Sequence, residues 1–269
     1  DLTKPTLASK VPLLSAVWAG YYTTCGLTQA GAVMCWGYGS GGERGDGTTT
    51  STGATPVEVK GLPKTGLIAM DIRYRRRCAL TSGGDVYCWG YNGTRDVNDS
   101  ATTYITTATK RGNVSGLSLV GGGSGTVCGV QPAKNQVLCW GDGGDGELGY
   151  GSTATYSEAP QVVKGLTVEP LQISGGDDHI LYLGTNGKVY AAGDGGSYQL
   201  ANGSSGDKST ATLASQFTGT YVSVRGAYNA TCALGVDGEV YCIGYNYSGV
   251  VGSGSTSSTV SSVQKVIKP

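Results

Sequence analysis

The sequence is poor in the groups that most chemistry needs. It holds one histidine, His179, among 269 residues, which removes most enzymatic arrangements: Ser-His-Asp or Cys-His catalysis and multi-histidine metal sites all need a well-placed imidazole. Charged residues make up 14% of the chain, with 19 Lys and Arg against 19 Asp and Glu, so no global field steers it toward nucleic acid or an acidic surface. No apolar run approaches the roughly 18 residues of a membrane-spanning helix, and no segment shows a helical period. Beginning at Asp1 with neither a signal peptide nor a transmembrane segment, the chain is expected to be a mature, processed one without membrane insertion.

What is abundant is glycine, 47 residues, beside 39% hydrophobic residues and no net charge. That balance argues against disorder and for many tight turns. One pattern recurs five times, closing in its fullest form on Val-x-Cys-Trp-Gly: Ala19–Gly37, Arg73–Gly90, Gly121–Gly141, Gly175–Gly193 and Arg225–Gly244. The Trp position falls at Trp36, Trp89, Trp140, Ala192 and Ile243, spaced by 53, 51, 52 and 51 residues. Each copy holds two apolar stretches around a short turn, the signature of a hairpin, near 17–37, 70–90, 119–141, 173–193 and 224–244. Weaker strand signals follow at Pro56–Lys60 and Pro160–Lys164. Three or four strands per ~50 residues make one propeller blade, so residues 1–269 are expected to form a single all-β propeller domain of five blades.

These motifs, with Gly146-Glu147-Leu148-Gly149 after the third copy, resemble the RCC1 (regulator of chromosome condensation) repeat. The resemblance covers nearly the whole chain and implies a β-propeller, often of seven blades. Five units are fewer than usual. The second copy also departs, with Arg73-Tyr74-Arg75-Arg76-Arg77 where Gly-Gly is expected and Thr94-Arg95-Asp96-Val97 in place of Gly-x-Leu-Gly. The ring is therefore either small or not closed in the usual way.

Eight cysteines fall into pairs that straddle hairpin turns: Cys25/Cys35, Cys78/Cys88, Cys128/Cys139 and Cys232/Cys242. Facing positions on adjacent antiparallel strands lie about 4.5–5.5 Å apart, within disulfide reach. The fourth copy has Leu181 and Ala191 at these positions, losing both partners together. Structural disulfides and an oxidising compartment are the expectation; zinc or redox use is the alternative, although Cys-x2–4-Cys spacing and further histidines are lacking.

Six of eight asparagines stand in Asn-x-Ser/Thr sequons: Asn92, Asn98, Asn113, Asn202, Asn229 and Asn246. They point to an extracellular glycoprotein, or simply to good turn sequences. His179 is expected to be a packed imidazole. Gly141–Gly146 formally matches Gly-x-Gly-x-x-Gly, but no helix follows, so it reads as a repeat turn. Its Asp142 and Asp145, with Glu147, are expected to be solvated turn carboxylates and not a calcium site. Arg73, Arg75, Arg76 and Arg77 are the strongest local charge feature, read either as an anion-binding patch or as arginines guarding a sheet edge. Tyr21, Tyr22, Tyr228, Tyr245 and Tyr247 suit protein or sugar contacts.

No cofactor, resident metal or catalytic residue is implied. The leading expectation is a non-enzymatic extracellular structural or adhesive glycoprotein. It is expected to meet a protein or glycan partner, and to be able to form a homo-oligomer or filament through surplus strands at Pro5–Val11 and Val260–Val266. A soluble lectin or protein inhibitor is the second reading. A nucleotide-exchange factor is the third, because fold resemblance alone does not carry function.

Overall fold

The computed structural model describes residues 11–98 and 102–267. Within them the chain folds into five four-stranded antiparallel sheets, each a simple meander built from one repeat. The first blade contains β1 (Leu14–Gly20), β2 (Thr23–Thr28), β3 (Val33–Tyr38) and β4 (Thr52–Glu58). The second contains β5 (Leu67–Ile72), β6 (Arg76–Thr81), β7 (Val86–Tyr91) and β8 (Tyr104–Lys110). β9 (Leu119–Gly122), β10 (Thr126–Gln131), β11 (Gln136–Asp142) and β12 (Tyr156–Val162) form the third. The fourth holds β13 (Pro170–Gly175), β14 (His179–Gly184), β15 (Val189–Gly193) and β16 (Lys208–Leu213). The fifth holds β17 (Tyr221–Ala227), β18 (Ala230–Gly235), β19 (Val240–Tyr245) and β20 (Thr259–Lys265).

The repeat explains the meander. Cys25 faces Cys35, Cys78 faces Cys88, Cys128 faces Cys139 and Cys232 faces Cys242, and each pair is bonded with Cα atoms 4.1 Å apart. Leu181 faces Ala191 in the fourth blade at the same register. The glycine that ends Val-x-Cys-Trp-Gly takes a left-handed backbone in all five copies; at Gly90 φ is 104°, and a side chain there would press on the Arg75 carbonyl. A β-bulge between cysteine and glycine then turns the outer strand away.

The innermost strands pack in succession, β1 against β5, β5 against β9, β9 against β13 and β13 against β17. Among the described residues no contact of similar extent joins β17 to β1, so the described blades form an arc with two ends. Burial follows: every residue of β6, β10 and β14 is buried, whereas β2 and β18 in the terminal blades are not wholly covered. The segment expected as a surplus strand at Val260–Val266 is largely β20, which completes the fifth blade. Apart from Val11, its N-terminal counterpart Pro5–Val11 lies outside the described residues.

Candidate functional site

In each blade the turn after the first strand and the loop after the third emerge at one end, so five copies of each gather on one face of the arc. The innermost turns surround a cavity of about 600 Å³ lined from all five blades, with Tyr21, Tyr74, Ser124, Asp177 and Tyr228 among its walls. Arg73 Nη1 donates across it to the Gly175 carbonyl at 3.0 Å, and Ser124 Oγ meets Asp177 Oδ1 at 2.7 Å.

Tyrosines dominate the half of this face made by the two ends. Tyr21, Tyr22, Tyr74, Tyr228 and Tyr247 are exposed. Tyr21 lies 4.2 Å from Tyr22 and 4.6 Å from Tyr74, centroid to centroid; Tyr228 and Tyr245 are 5.5 Å apart, and Tyr245 stacks on Tyr247 at 6.4 Å. The sequence reading missed Tyr74, hidden inside the arginine run. Exposed tyrosines offer large, stiff, amphipathic contact area.

The other half is acidic. Asp178 is pushed up to about 6, first by burial and then by Asp145 and Asp177. Asp145 is raised by burial and then by Asp194 and Asp207. None of these carboxylates forms an ion pair among the described residues. Glu147 does not belong to this solvated set: it is buried, accepts the Asp145 N–H at 3.0 Å, and burial raises it to about 8.

Neither reading of the arginine run holds for Arg76 and Arg77. β6 lies inside its sheet, and Arg76 and Arg77 are only 1% exposed, so they neither guard an edge nor offer charge to a ligand. Arg76 pairs with Asp71 at 3.0 Å and Asp96 at 2.9 Å and donates to the Gly123 carbonyl of the next blade. Burial pulls Asp71 upward, but Arg73 and Arg76 together hold it below the usual carboxylate range. Burial lowers Arg77 to about 10. Arg73 pairs with Asp71, while Arg75 reaches Glu43 at 3.3 Å and lies over the Tyr91 ring. The run is a structural brace: Arg73, Arg75 and Arg76 pair with Asp71 on the neighbouring strand, Asp96 in the loop of the same blade and Glu43 of the first blade.

His179 is fully buried, its Nε2 lies 3.0 Å from Thr231 Oγ1, and burial lowers it to about 3, so it is a neutral packing group.

Two sequons are also structural. The Asn92 side chain accepts from the Val97 and Asn98 N–H groups, and that of Asn246 accepts from Val251 N–H and donates to the Ser255 carbonyl. Both are buried and shape their loops, which excludes a glycan on either amide in this fold. Asn98, Asn202 and Asn229 are half-buried, and Asn113 is exposed.

Comparison with known proteins agrees with this architecture. A family described as the regulator of chromosome condensation (RCC1) repeat matches residues 134–183, and a second of the same description matches 171–199. Prp20p from Saccharomyces cerevisiae superposes with a TM-score of 0.85 over 95% of this chain and 63% of its own, at 16% identity. The chain is an RCC1-like repeat propeller. Two curated relatives of this RCC1-like chain are much longer than it. Human probable E3 ubiquitin-protein ligase HERC4 is 28% identical over 87% of this chain and 22% of its own length. The X-linked retinitis pigmentosa GTPase regulator of Canis lupus familiaris is 35% identical over 46% of this chain and 12% of its own length.

Proposed function

We propose that this chain is a non-enzymatic protein-binding module that works outside the cell and uses the tyrosine-rich face around the central cavity as its contact surface. The observation that carries this reading is the gathering of five exposed tyrosines from the first, second and fifth blades beside an unpaired acidic half. Aromatic anchors with a polar surround are the usual makeup of a protein contact. The yeast relative supports the class of partner, since Prp20p is described by its binding to Gsp1p and histones and in a complex with Kap60. Four disulfides favour an oxidising compartment. The exposed Asn113 is the sequon best placed to carry a glycan there.

The test is a parallel screen of the folded protein against arrays of extracellular proteins and of glycans. Saturable binding to a protein, weakened tenfold or more (about 1.4 kcal/mol) by Tyr21→Ala, Tyr74→Ala and Tyr228→Ala combined, supports the reading. Binding to glycans alone makes the chain a lectin, and protein binding indifferent to the triple variant removes this face from the site.

A further inference from the structure

Every blade after the first is fastened to the one before it at the same register. The residues opposite the Trp-Gly glycine on the outer strand are Gly53, Ile105, Ser157, Lys208 and Val260, followed by Ala54, Thr106, Glu158, Ser209 and Ser261. The last four of these carbonyls each accept from the preceding blade: Thr106 from Gly47 N–H at 2.9 Å, Glu158 from the Arg111 guanidinium, Ser209 from Gly151 N–H at 2.7 Å and Ser261 from the Gln216 amide at 3.2 Å. The Trp position lies beneath the preceding blade's loop. Trp89 Nε1 donates to the Glu43 carbonyl at 3.0 Å and Trp140 Nε1 to the Asp96 carbonyl at 2.9 Å; both rings are fully buried, as are Ala192 and Ile243.

Among the described residues, both halves of this joint are unmatched at the ends of the arc. Trp36 is partly exposed in a groove lined by first-blade residues alone, Nε1 has no hydrogen-bond partner among the described residues, and Ala54 is exposed. At the other end Val250 occupies the place of the buried Glu43, Asp96, Glu147 and Gln199 and is 49% exposed. Val240 is 37% exposed, although its equivalents Val33, Val86, Val137 and Val189 are buried. No charged residue lines the Trp36 groove, and Val240 and Val250 are exposed valines; together they are the two halves of a contact that this sequence already makes four times.

We propose that the first-blade edge around Trp36 docks the fifth-blade edge, centred on Val250, of a second copy of this chain. The contact is head to tail, so a docked pair still leaves one free edge of each kind and association continues as an open series. The Trp36 groove borders the tyrosine face at Tyr22 but is not lined by Tyr21, Tyr74 or Tyr228, so either proposal stands if the other fails.

The experiment is light scattering of the intact oxidised protein over a range of concentrations, with tryptophan emission followed in parallel. The expected result is a mass rising from the 27.4 kDa monomer to multiples, with a blue shift as Trp36 is covered. Trp36→Arg and Val250→Arg, each with an unchanged melting temperature, should each stay monomeric. Mixed together they should form a dimer and nothing larger, because each retains the edge the other has lost. A wild-type protein that stays monomeric throughout, association that persists in either variant, or a mixture that forms no dimer overturns the proposal.

Discussion

At one register position, opposite the Trp-Gly glycine on the second strand, the second blade has Arg76 and the fourth has His179. Both are fully enclosed, and both tie their blade to the next. Arg76 does so with charge, holding two carboxylates and two carbonyls, Gly123 and Thr126, whereas His179 does so neutral, through the Thr231 hydroxyl, which in turn donates to the Gln199 carbonyl at 2.7 Å. The second blade also has a disulfide, where the fourth packs Leu181 on Ala191. The same architecture thus tolerates an ionic, stapled blade and an apolar, unstapled one, which locates fold specification in the hairpin and the joint; the cysteines add to it.

The comparison is broken hardest at Arg76. Arg76→Ala strands Asp71 and Asp96 in the interior and should cost about 3–5 kcal/mol in urea unfolding at pH 7. His179→Ala loses one neutral hydrogen bond and some packing and should cost about 1–3 kcal/mol. Equal losses would mean that the ionic brace adds nothing beyond volume. The staple comes next. Cys78→Ala with Cys88→Ala should remove about 3 kcal/mol. Leu181→Cys with Ala191→Cys should close a fifth disulfide, detectable as a two-proton mass loss, yet change stability by only about 1 kcal/mol, because the lost leucine packing offsets the new cross-link. A gain as large as the loss at Cys78–Cys88 would show that Leu181 contributes little.

The repeat and the cysteine pairing were legible in the sequence because both rest on local spacing: a hairpin of fixed length puts facing residues in contact whatever surrounds it. The arginine run was not, because its partners Glu43, Asp71 and Asp96 belong to three different segments, two brought in by the folding of the second blade itself and Glu43 by the stacking of the first blade upon it. Asn92 and Asn246 looked like acceptor sites because a sequon is a three-residue pattern blind to burial. The signal was nevertheless present: aligned on Trp-Gly, they stand where the other copies have Gly39, Gly143 and Gly195. The tyrosine face was half legible, in that the residues could be named but not which end of the blades would collect them. The open arc was foreshadowed by five repeats alone; its unmatched edges needed Trp36 and Val250 to be seen beside their buried counterparts.

The smallest contrast is between Glu147 and Gln199, the same loop position in the third and fourth blades. Glu147 rises to about 8 in the folded chain from an ordinary 4.5, chiefly through burial, so folding takes up a proton between those values. A carboxyl raised on folding makes stability fall as pH climbs from about 4.5 through 8, with a slope of at most about 1.4 kcal/mol per pH unit. Asp96 and Asp178, raised by burial to about 6, act in the same direction but have finished titrating by about pH 7, which leaves the window from pH 7 to 9 to Glu147. Glu147→Gln installs the neutral group that the fourth blade already uses. Thermal unfolding across that window should show the wild type losing stability while the variant stays nearly flat, the two curves parting above pH 7. Parallel curves would mean that Glu147 is ionised inside the third loop, and the buried position would then have to be solvated in a way its neighbours are not.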